Sequence, residues 1–369
     1  MTGAGPAPRT GGPVKKMVMR CGAEPGPLPG FTTGDGRMNR FLLLGAVLAG
    51  ACASASGADP SPEFAVIGMD AQVRTDPPKL APSGKRAPYG GRVTVLEEKT
   101  VDGKVYAKVQ QSGGAKTVYG WTAKTNLGSP KEFDPAMAPG DEVDTEPLKG
   151  LEAVMGSIYN ARGKYLFDRA KELGASPAAL AAVLKVESGG RGFGPDGRTI
   201  VRFENHTFWG QWGKAHKDTF DAHFKFNPDK GWLGHQWRKT AAGPWVDEHK
   251  NQAGEWEVLE FAQTLDKPAA LKSASYGAGQ IMGFNHKTVG YATVEEMVKA
   301  FDRGIEPQLD GIIAFIKTHP NCLKGLKEND FTLFAGCYNG RGKEAEYGRL
   351  IKDAAEAYTK VTRGKKLGG

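Results

Sequence analysis

The apolar residues change their periodicity once along this chain, across roughly residues 129–150, and that change splits it into two units of different kind. Before the break, 92–97, 105–110 and 118–122 alternate β-formers with polar residues, the pattern of half-buried strands. Asp102-Gly103 stands between two of them and signals a tight hairpin turn. Short strands with Gly/Pro turns in about 60 residues read as a small barrel. The break itself holds Pro130, Pro135, Pro139 and Pro147 and six acids against two lysines. It reads as an extended, solvated linker over 129–150. After it, 153–173 has helical spacing and stops at Gly174. Ser176 caps a second helix with Pro177 at its first position, and Gly189-Gly190 ends it. A β-like run at 198–203 follows, then helices at 256–265, 268–273, 294–301, 307–317 and 331–338. The second unit is therefore mainly α, about 200 residues long, with irregular loops between 204 and 254.

The first 58 residues read as a leader. Met38-Asn39-Arg40 precedes a short apolar run, and small residues from Cys52 to Ala58 follow. That is the layout of a secretory signal peptide at 38–58, with an apolar core short of the ~20 residues a membrane span needs. Stable membrane insertion is not expected, and an exported, periplasmic or extracellular protein is. Cys52 offers a lipoprotein reading, ranked below simple export because Ala49 stands where a large apolar residue is usual. Residues 1–37, rich in Gly and Pro, are expected to be disordered, or to precede the natural start at Met38.

The net charge is +8, half of it in the leader. A mild basic surplus suits an anionic polymer. No basic run carries the interleaved aromatics that hold nucleic acid, so no nucleic-acid partner is expected. Beyond the leader, only Cys322 and Cys337 remain. They show no Cys-x-x-Cys metal spacing, and spacing leaves a disulfide and two buried thiols equally open.

Three segments carry chemistry. Val186-Glu187-Ser188-Gly189-Gly190 puts an acid in the last turn of an apolar helix. There the negative end of the macrodipole disfavours a carboxylate, and partial burial acts the same way. Both raise the pKa, as a general acid for glycosidic cleavage requires. Tyr276-Gly277-Ala278-Gly279-Gln280 is a loop of small residues with an amide suited to a sugar's acetamido group. Tyr338-Asn339 joins an aromatic plate to a second amide. Each alone carries little. Between 209 and 254 lies a run rich in Trp and His, including Trp209, Trp212, His216, His223, Trp232, His235, Trp237, Trp245 and His249. It has no His-Glu-x-x-His or comparable spacing, so a packed or solvated loop is expected, with no metal and no cofactor. The tryptophans equally suit a sugar groove.

Taken in order, the three segments resemble goose-type lysozymes and lytic transglycosylases. They look still more like the bacterial and phage N-acetylmuramidase family of endolysins. The matching residues are Val186 to Phe193, Arg202-Phe203-Glu204-Asn205-His206 with Phe208, Ala270 to Asn285, and Phe334 to Gly340. The resemblance covers about 155–360, with two departures: Tyr276 stands where the family usually has tryptophan, and Gly210–Gly254 is a longer one. It implies a mainly α, lysozyme-like catalytic domain over 151–362. The β-unit, 65–128, resembles a bacterial SH3-like barrel in Val73-Arg74, Tyr89-Gly90-Gly91 and Gly120-Trp121, which implies binding to the wall polymer.

The expected activity is that of a peptidoglycan hydrolase, a muramidase cutting the β-1,4 bond between N-acetylmuramic acid and N-acetylglucosamine, with peptidoglycan as its partner, and a monomer is expected. Glu187 is the expected acid and Glu204 the candidate second carboxylate; Ser188, Tyr276, Gln280, Tyr338 and Asn339 would shape the sugar site. The alternatives are a lytic transglycosylase leaving 1,6-anhydro ends and a non-catalytic wall-binding protein.

Overall fold

The computed structural model describes residues 63–68, 71–112, 117–188, 191–340 and 342–365. The leader, with the signal peptide and Cys52, lies outside the described residues, as do Gly189-Gly190 and the side chains of Glu187 and Ser188.

Seven strands form the N-terminal sheet: β1 (Glu63–Val66), β2 (Gln72–Arg74), β3 (Pro82–Arg86), β4 (Arg92–Val101), β5 (Lys104–Gln111), β6 (Val118–Ala123) and β7 (Leu127–Gly128). They lie in the order β3-β2-β6-β5-β4-β1-β7, each neighbouring pair antiparallel. Asp102 and Gly103, both at positive φ, make the β4–β5 turn, the conformation whose twist suits a two-residue hairpin. Register shifts at Val95/Glu97 and Val109/Gln110 curl the sheet around a small core of Val66, Val73, Val93, Ala107, Val109 and Leu127. Trp121 is buried beside it, its indole N–H donating to Asp76 at 2.8 Å.

Residues 129–150 depart from the extended, solvated chain expected of them. Met137 and Val143 are buried in the core of the helical region. Asn160 holds the Val143 backbone at both N–H and C=O, each at 2.8 Å. The prolines break regular structure as expected, but they do so in short 3-10 turns at Pro130–Glu132 and Pro135–Met137, capped by Ser129 and Asp134.

The rest is mainly helical: α1 (Gly150–Leu173), α2 (Pro177–Ser188), α3 (Asn205–Gln211), α4 (Lys217–His223), α5 (Gln252–Leu265), α6 (Lys267–Lys272), α7 (Val294–Arg303), α8 (Ile305–Thr318), α9 (Pro320–Glu328), α10 (Phe331–Tyr338) and α11 (Glu344–Val361). Between them lie a sheet of β8 (Val201–Phe203), β12 (Ala274–Tyr276) and β13 (Ile281–Met282) and a smaller one of β9 (Phe224–Lys225), β10 (Gln236–Trp237) and β11 (Val246–Asp247). From Ala179 to Leu184 every side chain of α2 is buried, so this helix is enclosed by α1 and α11 rather than lying on a surface. The sequence reading omits α9 and α11, and it expects only irregular loops where α3 and α4 lie. The inward face of α11 is Tyr347, Ile351, Ala354, Ala355 and Tyr358 among many charges, a weak apolar stripe. Cys322 and Cys337 are bonded, with Cα atoms 5.4 Å apart, and tie α9 to α10. Closing a loop of this length removes about 3 kcal/mol of unfolded-chain entropy. Among the described residues no helix is long and apolar enough to cross a membrane.

Candidate active site

The first motif sits where the sequence puts it. Ser176 Oγ accepts the Ala179 N–H at 3.0 Å and Pro177 opens α2, so the helix delivers Glu187 in its last turn. The chain that follows is held from an unexpected side. Glu132 is buried, and its carboxylate accepts the Gly192 N–H (2.8 and 3.0 Å to its two oxygens) and the Phe193 N–H (2.7 Å). The Arg162 guanidinium donates to the Glu132 carbonyl at 3.2 Å.

Gly192 then meets the second motif. Its carbonyl accepts the Ile200 N–H at 2.9 Å, and the Ile200 carbonyl accepts the Gly277 N–H at 2.8 Å. Gln308, in the first turn of α8 and wholly buried, lies between the two loops. Its Oε1 accepts the Ala278 N–H at 2.7 Å and its Nε2 donates to the Phe301 carbonyl at 2.8 Å. A Cβ on Gly192 would stand 2.1 Å from that Oε1, and one on Gly277 2.3 Å. Gly277 is also at positive φ, +69°, so glycine is required there twice over. The structure thus brings the backbone beyond Glu187 and the 277–280 loop together around one amide.

The remaining residues fall differently. Gln280 is half-buried at φ +48°. Its Oε1 accepts the Ser275 hydroxyl at 3.0 Å and its Nε2 donates to the Gly277 carbonyl at 2.9 Å, so both ends of the amide are used inside its own loop. Tyr276 is fully buried on β12, its hydroxyl donating to the Leu271 carbonyl at 3.0 Å. Burial pushes its pKa up, and it serves as a core ring rather than a pocket wall. Tyr338 is also buried, stacked on Phe334 and edge-on to Phe315, while Asn339 caps α10, its N–H donating to the Ala335 carbonyl at 2.8 Å. A hollow of about 500 Å³ over α9 and α10, lined by Asn321, Asp330 and Glu344 among others, contains none of the expected site residues.

Glu204 follows β8, the strand paired to Tyr276 and its neighbours, and stands at the start of α3. It is 0% exposed. Its Oε1 accepts the Arg202 Nε–H at 2.9 Å, and its Oε2 faces Nδ1 of His206 at 3.4 Å and Nδ1 of His235 at 3.5 Å. Burial pushes this carboxyl up, but His206, His235 and Arg202 outweigh burial and hold it at about 2. Beside it, Glu248 is raised, chiefly by burial. Among the described residues, Glu204, His235 and His249 each place one ligand atom within 4.8 Å of the others. The sequence, read for ligand spacing, expects no such grouping, because the three come from separate segments joined only by folding. The rest of the Trp- and His-rich run is partly packed as expected: Trp212 stacks on Phe208 and His216, and Trp237 is buried, whereas Trp232 is exposed.

Glu132 is the residue that sequence reasoning misses. Its carboxyl is raised to about 7 by burial, against the pull of Arg162 and the two backbone N–H groups. A carboxyl raised in the folded state holds its proton longer than in the unfolded chain. Its contribution is therefore fully present below the unfolded value near 4.5 and lost as pH rises through about 7. The loss amounts to about 3 kcal/mol. Glu132→Gln keeps an acceptor for Gly192 and Phe193 but does not titrate. Urea melts at pH 4.5 and pH 8 should show a wild-type decline that the variant lacks; equal slopes for the two proteins would refute this.

Comparison with known proteins adds the following. The crystal structure of the endolysin of Burkholderia AP3 phage is similar at 29% identity, over 54% of this chain and 71% of that one, with a TM-score of 0.45. The curated proteins give no match. Residues 176–359, from the cap of α2 into α11, match the N-acetylmuramidase family model, and that match supports a peptidoglycan-hydrolysing enzyme.

Proposed function

We propose that this chain is a muramidase, hydrolysing the β-1,4 bond between N-acetylmuramic acid and N-acetylglucosamine with Glu187 as general acid. The observation that carries the reading is the placement of Glu187. It lies in the last turn of a helix buried along its middle, and the chain beyond it is joined to the 277–280 loop through Ile200 and Gln308. At a helix C-terminus the negative end of the macrodipole favours the protonated carboxyl, the form that donates to the leaving oxygen. Ser188, Gln280 and Asn339 are proposed to border the sugar site, with Tyr276 and Tyr338 supporting it from the core. The curled N-terminal sheet is proposed to be an SH3-like module that holds the wall polymer, and the protein to work as an exported monomer.

Glu204 has the ionisation state a water-activating carboxylate needs, but it is enclosed by Arg202, His206 and His235. That enclosure favours a second reading, a lytic transglycosylase. There the muramyl sugar's own hydroxyl attacks, and no carboxylate has to activate water. Mass spectrometry of purified peptidoglycan after digestion separates the two. Reducing muramic-acid ends are the expected result, anhydro ends would replace hydrolysis with transglycosylation, and an undigested wall would reject both.

A further inference from the structure

We infer that Glu204, His235 and His249 form a binding site for one divalent cation of the zinc class.

The hydrogen bonds around the two imidazoles decide which nitrogens are available. His235 Nε2 lies 2.7 Å from the Gly231 carbonyl, which can only accept, so Nε2 carries the hydrogen. Nδ1 then presents a lone pair toward Glu204 Oε2, 3.5 Å away, with the Asn205 N–H at a long 3.4 Å. His249 Nδ1 lies 2.7 Å from Glu255 Oε1, so its hydrogen goes there. Its Nε2 is buried without a hydrogen-bond partner. Glu255 is itself fixed, its other oxygen accepting the Phe203 N–H at 2.8 Å. Each imidazole therefore gives its one N–H to a carbonyl or a carboxylate and turns a bare nitrogen inward, the arrangement in which histidines hold metals.

The carboxylate completes the set. Glu204 Oε2 is buried with no close hydrogen-bond partner, the nearest donor being His206 Nδ1 at 3.4 Å, whereas Oε1 is paired. Lone pairs of Oε2 and His235 Nδ1 facing one another repel, and a cation between them reverses the sign. Their 3.5 Å separation is close to the ~3.3–3.6 Å between two ligands that each stand about 2.0–2.2 Å from a tetrahedral zinc ion. All three ligand atoms lie within 4.8 Å of one another, so the third approaches by about an ångström on binding. Two imidazole nitrogens and one carboxylate oxygen suit zinc, and three protein ligands leave a position for water. The unpartnered Oε2 of Glu248 and Nδ1 of His206 border the same space. An ion here ties the segment after β8 to the β10 region and the turn before α5, and β8 belongs to a different sheet from β10 and β11.

The test uses the full-length protein, stripped with a chelator, dialysed and reloaded with zinc or cobalt. We expect about one zinc per chain by elemental analysis, a visible cobalt spectrum of low coordination number, and a Tm higher by on the order of 5 °C with metal at 100-fold excess over Kd. Glu255→Gln, which leaves all three ligands in place, should weaken zinc 10- to 100-fold, the usual effect of losing such a partner, with an unchanged circular dichroism spectrum. His249→Gln should abolish uptake. Should His249→Gln fail to fold, the wild-type stoichiometry and the Glu255→Gln affinity still decide. Stripped wild-type protein that takes up no zinc, or uptake undiminished in His249→Gln or Glu255→Gln, overturns the site.

Discussion

Glu187→Gln should lower turnover on peptidoglycan by on the order of 10²- to 10⁴-fold, the usual contribution of a positioned general acid. Glutamine keeps the shape and polarity of the side chain but has no proton to give to the leaving oxygen. The same change should leave the protein slightly more stable or unaltered. An anion at the C-terminal end of a helix costs roughly 0.3–1 kcal/mol when it ionises, and the amide does not ionise. The wall binding proposed for the N-terminal sheet should persist, since that sheet is untouched. Turnover within threefold of wild type would remove Glu187 from the mechanism. Equal loss of wall binding would point to misfolding, which the melting temperature checks.

The second large effect is expected at Gln308. Gln308→Leu fills a similar volume but leaves the Ala278 N–H and the Phe301 carbonyl without their partner. Phe301 lies in the last turn of α7, where carbonyls have no intrahelical donor. Two buried groups left unpaired at about 1–3 kcal/mol each give a loss of roughly 2–6 kcal/mol, measurable by urea unfolding. The 277–280 loop should loosen as well, so kcat should fall in the protein that remains folded. A change under 1 kcal/mol with normal kcat would mean that Gln308 is not the joint between the two loops.

Local signals were legible wherever local physics is sufficient. Asp102-Gly103 announced its hairpin, Ser176-Pro177 announced the start of α2, and the apolar run to Val186 announced a buried helix ending at an acid. What is set by contacts far apart in the chain was not. Nothing near Glu132 in sequence says that it will accept two N–H groups from Gly192 and Phe193. Likewise, Gln308 reads as an ordinary polar residue in the first turn of a helix. Glu204, His235 and His249 share no motif spacing because β8, the β9–β10–β11 turns and the start of α5 meet only in three dimensions. Tyr276 and Tyr338 were read as pocket aromatics from their place in motifs, but a motif fixes a position, not the direction of its ring. Spacing also left Cys322 and Cys337 open, and the 5.4 Å approach of their Cα atoms closes that question.

The clasp at residues 129–143 bears on how such a chain is dissected and recombined. A boundary drawn by composition falls at the end of the proline-rich stretch, and a fragment beginning there looks complete by its helices. It would begin without Met137 and Val143 in its core and without the carboxylate that holds the backbone just beyond Glu187. Exchange of the N-terminal sheet, by recombination or by design, therefore has its seam before Ser129, and the proline-rich stretch travels with the helical region.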